Sequence, residues 1–176
     1  MERLTPRLRL SPIGPDDGDE LWVLHRDPGI ARWFAGTGTR EGARARAADM
    51  GRQWREHGVH KWLARRRSDG ALVGRGGCSW TELSGTPCLE LGWALREEYW
   101  GNGYATEIGR AGLELAFEGL GADRVVSFTE AHNRRSRAVM ERLGLSFVAT
   151  FVRPGLAEDS WEEVDHAVFA LYEARA

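Results

Sequence analysis

Leu8 and Leu10 flank Arg9, and this two-residue alternation predicts a first strand, which Pro12, Gly14 and Pro15 interrupt. Behind the break, Asp16, Asp17, Asp19 and Glu20 load negative charge into the first turn of a predicted helix, where free N–H groups favour it. Leu21, Trp22 and Leu24 supply its apolar side, and Pro28 and Gly29 close it. A second helix is predicted from about Thr39, since Ala43, Ala47, Met50 and Trp54 recur at helical spacing until Gly58 stops them. The period then drops to two. Lys61 to Arg67 and Leu72 to Thr81 read as a hairpin joined by Ser68, Asp69 and Gly70; a second turn, Ser84 to Pro87, leads into a strand from Leu89 to Leu95. On that strand Leu89, Leu91, Trp93 and Leu95 share one face and Glu90, Gly92 and Ala94 the other. A glycine-containing loop then precedes a helix to Glu118, a strand over Arg124 to Thr129, a short helix over Arg134 to Leu143 stopped by Gly144, and strands over Phe147 to Val152 and Val164 to Leu171. Pro154 to Ser160 reads as an exposed loop.

This order predicts a single α/β (α+β) domain over residues 1–176, a mixed sheet with helices on its faces. Composition narrows the function classes. With 42% apolar and 28% charged residues and a net charge of -2, the chain is neither a disordered tail nor a strongly basic binder of nucleic acid. Cys78 and Cys88 are too few for a disulfide scaffold and fall out of register on the predicted hairpin, so both are expected as free thiols. The N-terminus lacks a continuous apolar signal segment, and no apolar run approaches the roughly 18–20 residues that cross a bilayer. A cytoplasmic protein with no membrane partner is expected.

Chemistry concentrates in the run Tyr99, Trp100, Gly101, Asn102, Gly103, Tyr104, Ala105, Thr106, between a strand and a helix. Gly101 and Gly103 let backbone approach a ligand closely, and the helix behind them offers unpaired N–H donors at its positive dipole end, which suits a pyrophosphate. A tight strand-to-helix turn that needs glycine for geometry alone is the other reading. No Gly-Lys-Ser/Thr triplet follows, which removes a P-loop; a dinucleotide fingerprint fails because its third glycine falls on Thr106. Coenzyme A remains.

From Leu89 to Phe147 the chain resembles the core of the GNAT acetyltransferases, in particular the RimJ/RimL-like branch that acetylates ribosomal-protein N-termini and related amines. Three segments carry the resemblance: Glu90 to Leu95, Trp100 to Glu107, and Asn133 to Ser136 leading into Met140 to Leu145. Thr5 to Leu10 and the pair Asp27, Pro28 extend it to nearly the full length. The resemblance implies a GNAT fold with a mixed, mostly antiparallel sheet, acetyl-CoA as cofactor, and an amine acceptor, either a small molecule or a protein N-terminus; a homodimer also fits. The family's pyrophosphate motif falls on Trp100, Gly103 and Ala105, with Trp in the place of Gln or Arg. Backbone at Trp93, Ala94 and Leu95 would pair with the pantetheine arm and supply an oxyanion-stabilising N–H. Asn133 would bond the pantetheine near the sulfur and Ser136 would protonate or orient the departing thiolate, although helix capping explains both residue types as well.

An acceptor amine is mostly protonated near neutral pH, so attack requires a base. Glu90 on the central strand is the candidate, with a structural ion pair to an arginine as the rival explanation. Arg134, Arg135 and Arg137 read either as contacts to the 3′-phosphate or as a solvated basic helix face. Trp33 and Phe34 are candidates for an apolar acceptor slot, against simple core filling. No histidine pair has convincing ligand spacing, so no metal is expected. The reading is an N-acetyltransferase working by direct transfer in a ternary complex. A catalytically silent acyl-CoA sensor on the same fold is the alternative.

Overall fold

The structure, a computed structural model, describes residues 1–33, 38–158 and 162–176. The strands are β1 (Arg3–Leu4), β2 (Leu8–Pro12), β3 (Trp62–Arg66), β4 (Leu72–Leu83), β5 (Thr86–Leu95), β6 (Arg124–Glu130), β7 (Ser146–Leu156) and β8 (Glu163–Arg175). The helices are α1 (Gly18–His25), α2 (Pro28–Ala31), α3 (Arg40–His57), α4 (Tyr104–Glu114) and α5 (Arg134–Arg142). All eight strands form one sheet in the order β1-β2-β3-β4-β5-β6-β8-β7. Neighbours are antiparallel except β5 and β6, which the α4 crossover joins in parallel.

Side-chain alternation sorts the sheet into two faces. Trp62, Ala64, Leu89, Leu91 and Leu95 face α4 and α5, in two clusters that include Ile108, Ala111, Val125, Met140 and Tyr172. Leu63 and Ala94 face the other way and pack with Leu21, Leu24, Ile30, Ala47 and Met50 of the first three helices. Those helices cover only the β2-to-β5 half. On the uncovered half Phe128, Phe151 and Phe169 cluster, with centroids 5.6, 6.3 and 5.5 Å apart. The functional cleft lies where the helical cover stops.

Local chemistry explains the element ends. Thr39 caps α3, its hydroxyl accepting from the Gly42 N–H at 3.0 Å, and Gly58 ends the helix at φ +68°. The first helix ends at His25, before the expected Pro28, because Asp27 opens a separate short helix with Pro28 at its first position. The expected loop from Pro154 is instead strand up to Leu156: β7 is an edge strand, and a register shift between Arg153 and Gly155 accommodates the proline. Cys78 pairs with Leu91 and Cys88 with Thr81, so the two thiols are out of register, and both are free. No helix among the described residues is long and apolar enough to cross a membrane.

Candidate active site

One cavity of about 2120 Å³ runs between the α4 loop, the exposed end of β5, the start of α5 and the uncovered face of β6 and β8. Gly101 and Gly103 have φ of +77° and +79°, a region that L side chains rarely adopt, and they turn the chain so that the first free N–H groups of α4 face the cavity. Asn102 braces the turn with its side-chain amide, which donates to the carbonyls of Tyr99 and Trp100 at 3.2 and 3.1 Å. The Trp100 indole N–H donates to the Leu95 carbonyl at 2.9 Å, tying the loop to the end of β5, and Arg135 lies 4.6 Å over the Trp100 ring.

A latch from the N-terminus holds this loop. The Arg7 guanidinium donates to the Asn102 carbonyl at 2.8 Å and grips the Glu107 carboxylate at 2.7 Å, while the Arg7 backbone N–H and the Thr5 hydroxyl reach the same carboxylate at 2.8 and 2.5 Å. Burial alone would raise the pKa of Glu107; the bonds from Thr5 and Arg7 outweigh it and hold the carboxyl below its ordinary value. A negative charge in the first turn of α4 is thereby neutralised where an anionic ligand would sit.

The strands part just beyond the loop. β5 and β6 pair only at Leu89 with Val125 and at Glu90 with Val126; past this point no ladder joins them. The Ser127 hydroxyl crosses the opening and donates to the Leu91 carbonyl at 2.8 Å. Alternation then puts the backbone N–H and C=O of Trp93 on the same open edge, and those of Ala94 on the β4 side. Asn133 caps α5: its side-chain oxygen accepts from the Ser136 N–H at 3.1 Å and its amide donates to the Thr129 hydroxyl at 3.1 Å. Ser136 lines the cavity one turn in.

Glu90 is the last residue of β5 to pair with β6, and its side chain lies on the face bearing Gly92 and Ala94. Lys61 and Arg75 both act on its carboxylate electrostatically. Beside it are two buried cations. Lys61 donates from Nζ to the carbonyls of Gly77 and Glu90 at 2.9 and 3.1 Å, and Arg75 donates from Nε to His25 Nε2 at 3.3 Å. Burial pushes the Lys61 ammonium down in pKa, with Glu90 opposing; burial and Arg46 bring Arg75 down to about 10. Burial, helped by Arg75, also holds His25 and His60 at about 4, so both are neutral near pH 7.

The residues singled out from the sequence converge. Glu90, Trp93, Ala94, Leu95, Trp100, Gly101, Gly103, Tyr104, Ala105, Thr106, Asn133, Ser136 and Trp33 all line the one cavity, with Asn102 at the turn above it. Trp33 stacks on His132 with centroids 5.6 Å apart; Phe34 lies outside the described residues. Arg134 and Arg135 line the cavity, whereas Arg137 is tied to the Tyr172 hydroxyl and the Ala131 carbonyl at 3.1 and 3.0 Å. Sequence reasoning missed the Arg7–Glu107 latch and the cations Lys61 and Arg75. The one available signal was polarity out of place: Lys61 stands two residues before the core residue Leu63, and Arg75 pairs with Leu63 across the ladder. Among the described residues no acidic, cysteine or histidine cluster fits a metal ion.

The chamber fits coenzyme A on this structure's own features: a positive-φ cradle, free helix N–H groups with their nearby carboxylate neutralised, and an open strand edge for an extended arm. A family model described as "Acetyltransferase (GNAT) domain" matches residues 7–146. An uncharacterized Bacillus subtilis protein, YkkB, is 26% identical over 148 residues, covering 84% of this chain and 86% of its own length. FsC-acetyl coenzyme A-N(2)-transacetylase of Aspergillus fumigatus is 29% identical over 186 aligned positions, covering 88% and 71%. Among solved structures, a GNAT-family acetyltransferase of Bordetella pertussis superposes with a TM-score of 0.80 at 22% identity over 100% and 99% of the two chains. A RimL protein acetyltransferase in complex with coenzyme A gives 0.74 at 16% identity over 98% and 96%. With the matched domain spanning most of its length, the chain belongs to the GNAT acetyltransferases and is an acetyl-CoA-dependent N-acetyltransferase.

Proposed function

We propose that this enzyme acetylates a primary amine by direct attack in a ternary complex, with Glu90 as base, and that residues 1–176 act as one catalytic domain. Acetyl-CoA supplies a thioester whose C–S bond breaks as the amide C–N bond forms, the sulfur leaving as a thiol and the acceptor ammonium giving up one net proton. The observation that carries the reading is the position of Glu90. It stands where β5 and β6 part and lines the cavity, with Lys61 and Arg75 acting on its carboxylate electrostatically.

The chain's own groups divide the work. Glu90 takes the ammonium proton directly or through one water. The Trp93 N–H on the open edge supports an oxyanion-stabilising role, since a fixed donor in a water-poor cleft acts on charge as it develops. The Ser136 hydroxyl supports proton delivery to sulfur. Asn133 already spends its oxygen on the cap and one N–H on Thr129, leaving its second N–H for the pantetheine arm. Trp33, stacked on His132, closes the acceptor end. The RimJ/RimL-like branch is supported by Thr5 to Leu10 and Asp27–Pro28, segments that here latch the cofactor loop and cap α2.

Glu90→Gln tests the assignment. Thiol release should fall by roughly 10²–10⁴-fold, with the affinity for coenzyme A by calorimetry within twofold of the parent. Turnover at the parent rate across pH would remove Glu90 from the role. Coenzyme A binding without thiol release from any amine would favour a silent sensor.

A further inference from the structure

Resting on the amine-acceptor reading, the bare half of the sheet defines the acceptor's far end. Glu90 pairs with Val126 where β5 and β6 part, and Phe128 and Glu130 follow Val126 at two-residue steps, so Glu90, Phe128 and Glu130 lie on one face. In the next ladder Glu130 stands opposite Phe169. Phe128, Glu130 and Phe169 all line the cavity, and they form an aromatic shelf with a carboxylate at its edge. The chain itself shows what such a shelf holds. The Arg153 guanidinium, from the edge strand β7, lies 5.3 Å from the centroids of both Phe128 and Phe169, where ring faces attract a cation.

Glu130 is 8% exposed, and its carboxylate receives one hydrogen bond, 3.4 Å long, from the Thr129 hydroxyl. It forms no salt bridge among the described residues. A carboxylate this buried is costly unless a cation or good donors meet it. Glu163 and Asp165 of β8 line the same mouth, and Arg153 is the one basic residue that β6, β7 or β8 brings to the cavity among the described residues. The other basic side chains there, Arg32, Lys61, Arg75, Arg134, Arg135 and Arg142, stand at the end of α2, at β3 and β4, and on α5. The reacting end is built the other way. A side chain at Gly92 would place its first carbon 3.3 Å from Lys61 Nζ and 3.5 Å from Glu90 Oε1, so the gap over Gly92 lies between an ammonium and a carboxylate. A cation so close disfavours a second positive charge and helps a nitrogen at Glu90 to lose its proton.

We infer that the acceptor is a linear diamine or polyamine. One nitrogen gives its proton to Glu90 in the gap over Gly92, and a second, still cationic, lies on Phe128 and Phe169 against Glu130, displacing the Arg153 guanidinium. Four residues separate Val126 from Glu130, about 13 Å along the strand, a span that a chain of several methylenes covers over the Phe128 ring. An acceptor without a second cation leaves Glu130 and the rings unmet. The overall step is acetyl-CoA plus a diammonium ion giving the mono-N-acetyl diamine, still cationic at its far end, free coenzyme A and one proton.

The test measures kcat/KM by thiol release for α,ω-diaminobutane, diaminopentane and diaminooctane, each against the n-alkylamine of equal length, with spermidine, L-alanine and an alanyl peptide alongside. At least one diamine should exceed its monoamine by roughly tenfold or more. Glu130→Gln should bring that ratio to within threefold through a higher diamine KM, with coenzyme A affinity by calorimetry unchanged. Arg153→Gln, which clears the rings, should lower the diamine KM by threefold or more. Should Glu130→Gln fail to fold, competition on the parent enzyme decides: the mono-N-acetyl diamine should inhibit at least tenfold better than the N-acetyl monoamine of equal length. Equal use of diamines and monoamines, turnover confined to L-alanine or the peptide, a ratio unmoved in a folded Glu130→Gln, or a diamine KM that rises in Arg153→Gln would overturn the inference and leave the amine-acceptor reading standing. If coenzyme A binds but no amine of any kind releases thiol, the amine-acceptor reading itself fails and this inference falls with it.

Discussion

The two halves of the cleft are built on different principles. The cofactor half is made of backbone: a turn at Gly101 and Gly103, free N–H groups on α4 and the open edge of β5, with Arg7, Asn102 and Trp100 acting as braces. The other half, which we propose receives the acceptor, is made of side chains on separate strands and loops: Lys61, Arg75, Glu90, Phe128 and Trp33. Backbone donors suit a ligand that never changes, because mutation cannot remove an N–H. Side chains suit one that must be chosen. The difference teaches that the two functions are separable, and that damage to one half should leave the other measurable.

Glu90→Gln makes the widest break, since it removes the base while touching nothing that holds the cofactor loop. Arg7→Met breaks the other half. Losing charge-assisted hydrogen bonds worth about 1.5–3 kcal/mol should weaken acetyl-CoA by roughly tenfold or more. The same variant should use S-acetylpantetheine, which lacks the diphosphate, as well as the parent does; an equal loss on both donors would show general misfolding instead.

Gly92→Ala sharpens the line between the halves. One methyl placed 3.3 Å from Lys61 Nζ narrows the acceptor gap, and acceptor KM should rise roughly tenfold while calorimetry shows coenzyme A binding unchanged. Parent-like acceptor KM would move the acceptor away from this gap.

The buried histidines make the acceptor half acid-sensitive. Their folded pKa values, about 4, lie below the unfolded value near 6.5, so the unfolded chain binds more protons between these limits. Their contribution to stability is complete above pH 6.5 and is lost as pH falls toward 4, on the order of a few kcal/mol. Urea midpoints should drop over that window, and His25→Gln should flatten the drop. Ser136→Ala should be the mildest change, below about tenfold in kcat, because a thiol of pKa about 8.5 already leaves readily.

The same contrast governs what the sequence disclosed. The cofactor loop was legible because its determinants are consecutive: two glycines, a strand before and a helix after. Most strands and helix caps were legible from alternation and from Thr39, Gly58 and Gly144. Lys61 and Arg75 were not, since a lysine at the start of a predicted strand looks like a solvated end; the Gly77 and Glu90 carbonyls on β4 and β5, distant in sequence, are what receive its ammonium. Arg7 was visible as part of a motif but not as a latch, because its partner Glu107 is a hundred residues away. The parting of β5 from β6 was also hidden, since ladder length between distant strands depends on how α4 and α5 pack rather than on either strand's composition.

Hydrogen–deuterium exchange with and without coenzyme A tests the central division most directly. Peptides covering residues 91–95 and 101–106 should gain protection, while those covering Lys61 and Arg75 should exchange as before. Protection centred on the β3–β4 floor, with the loop at Gly101 to Thr106 unchanged, would contradict the account.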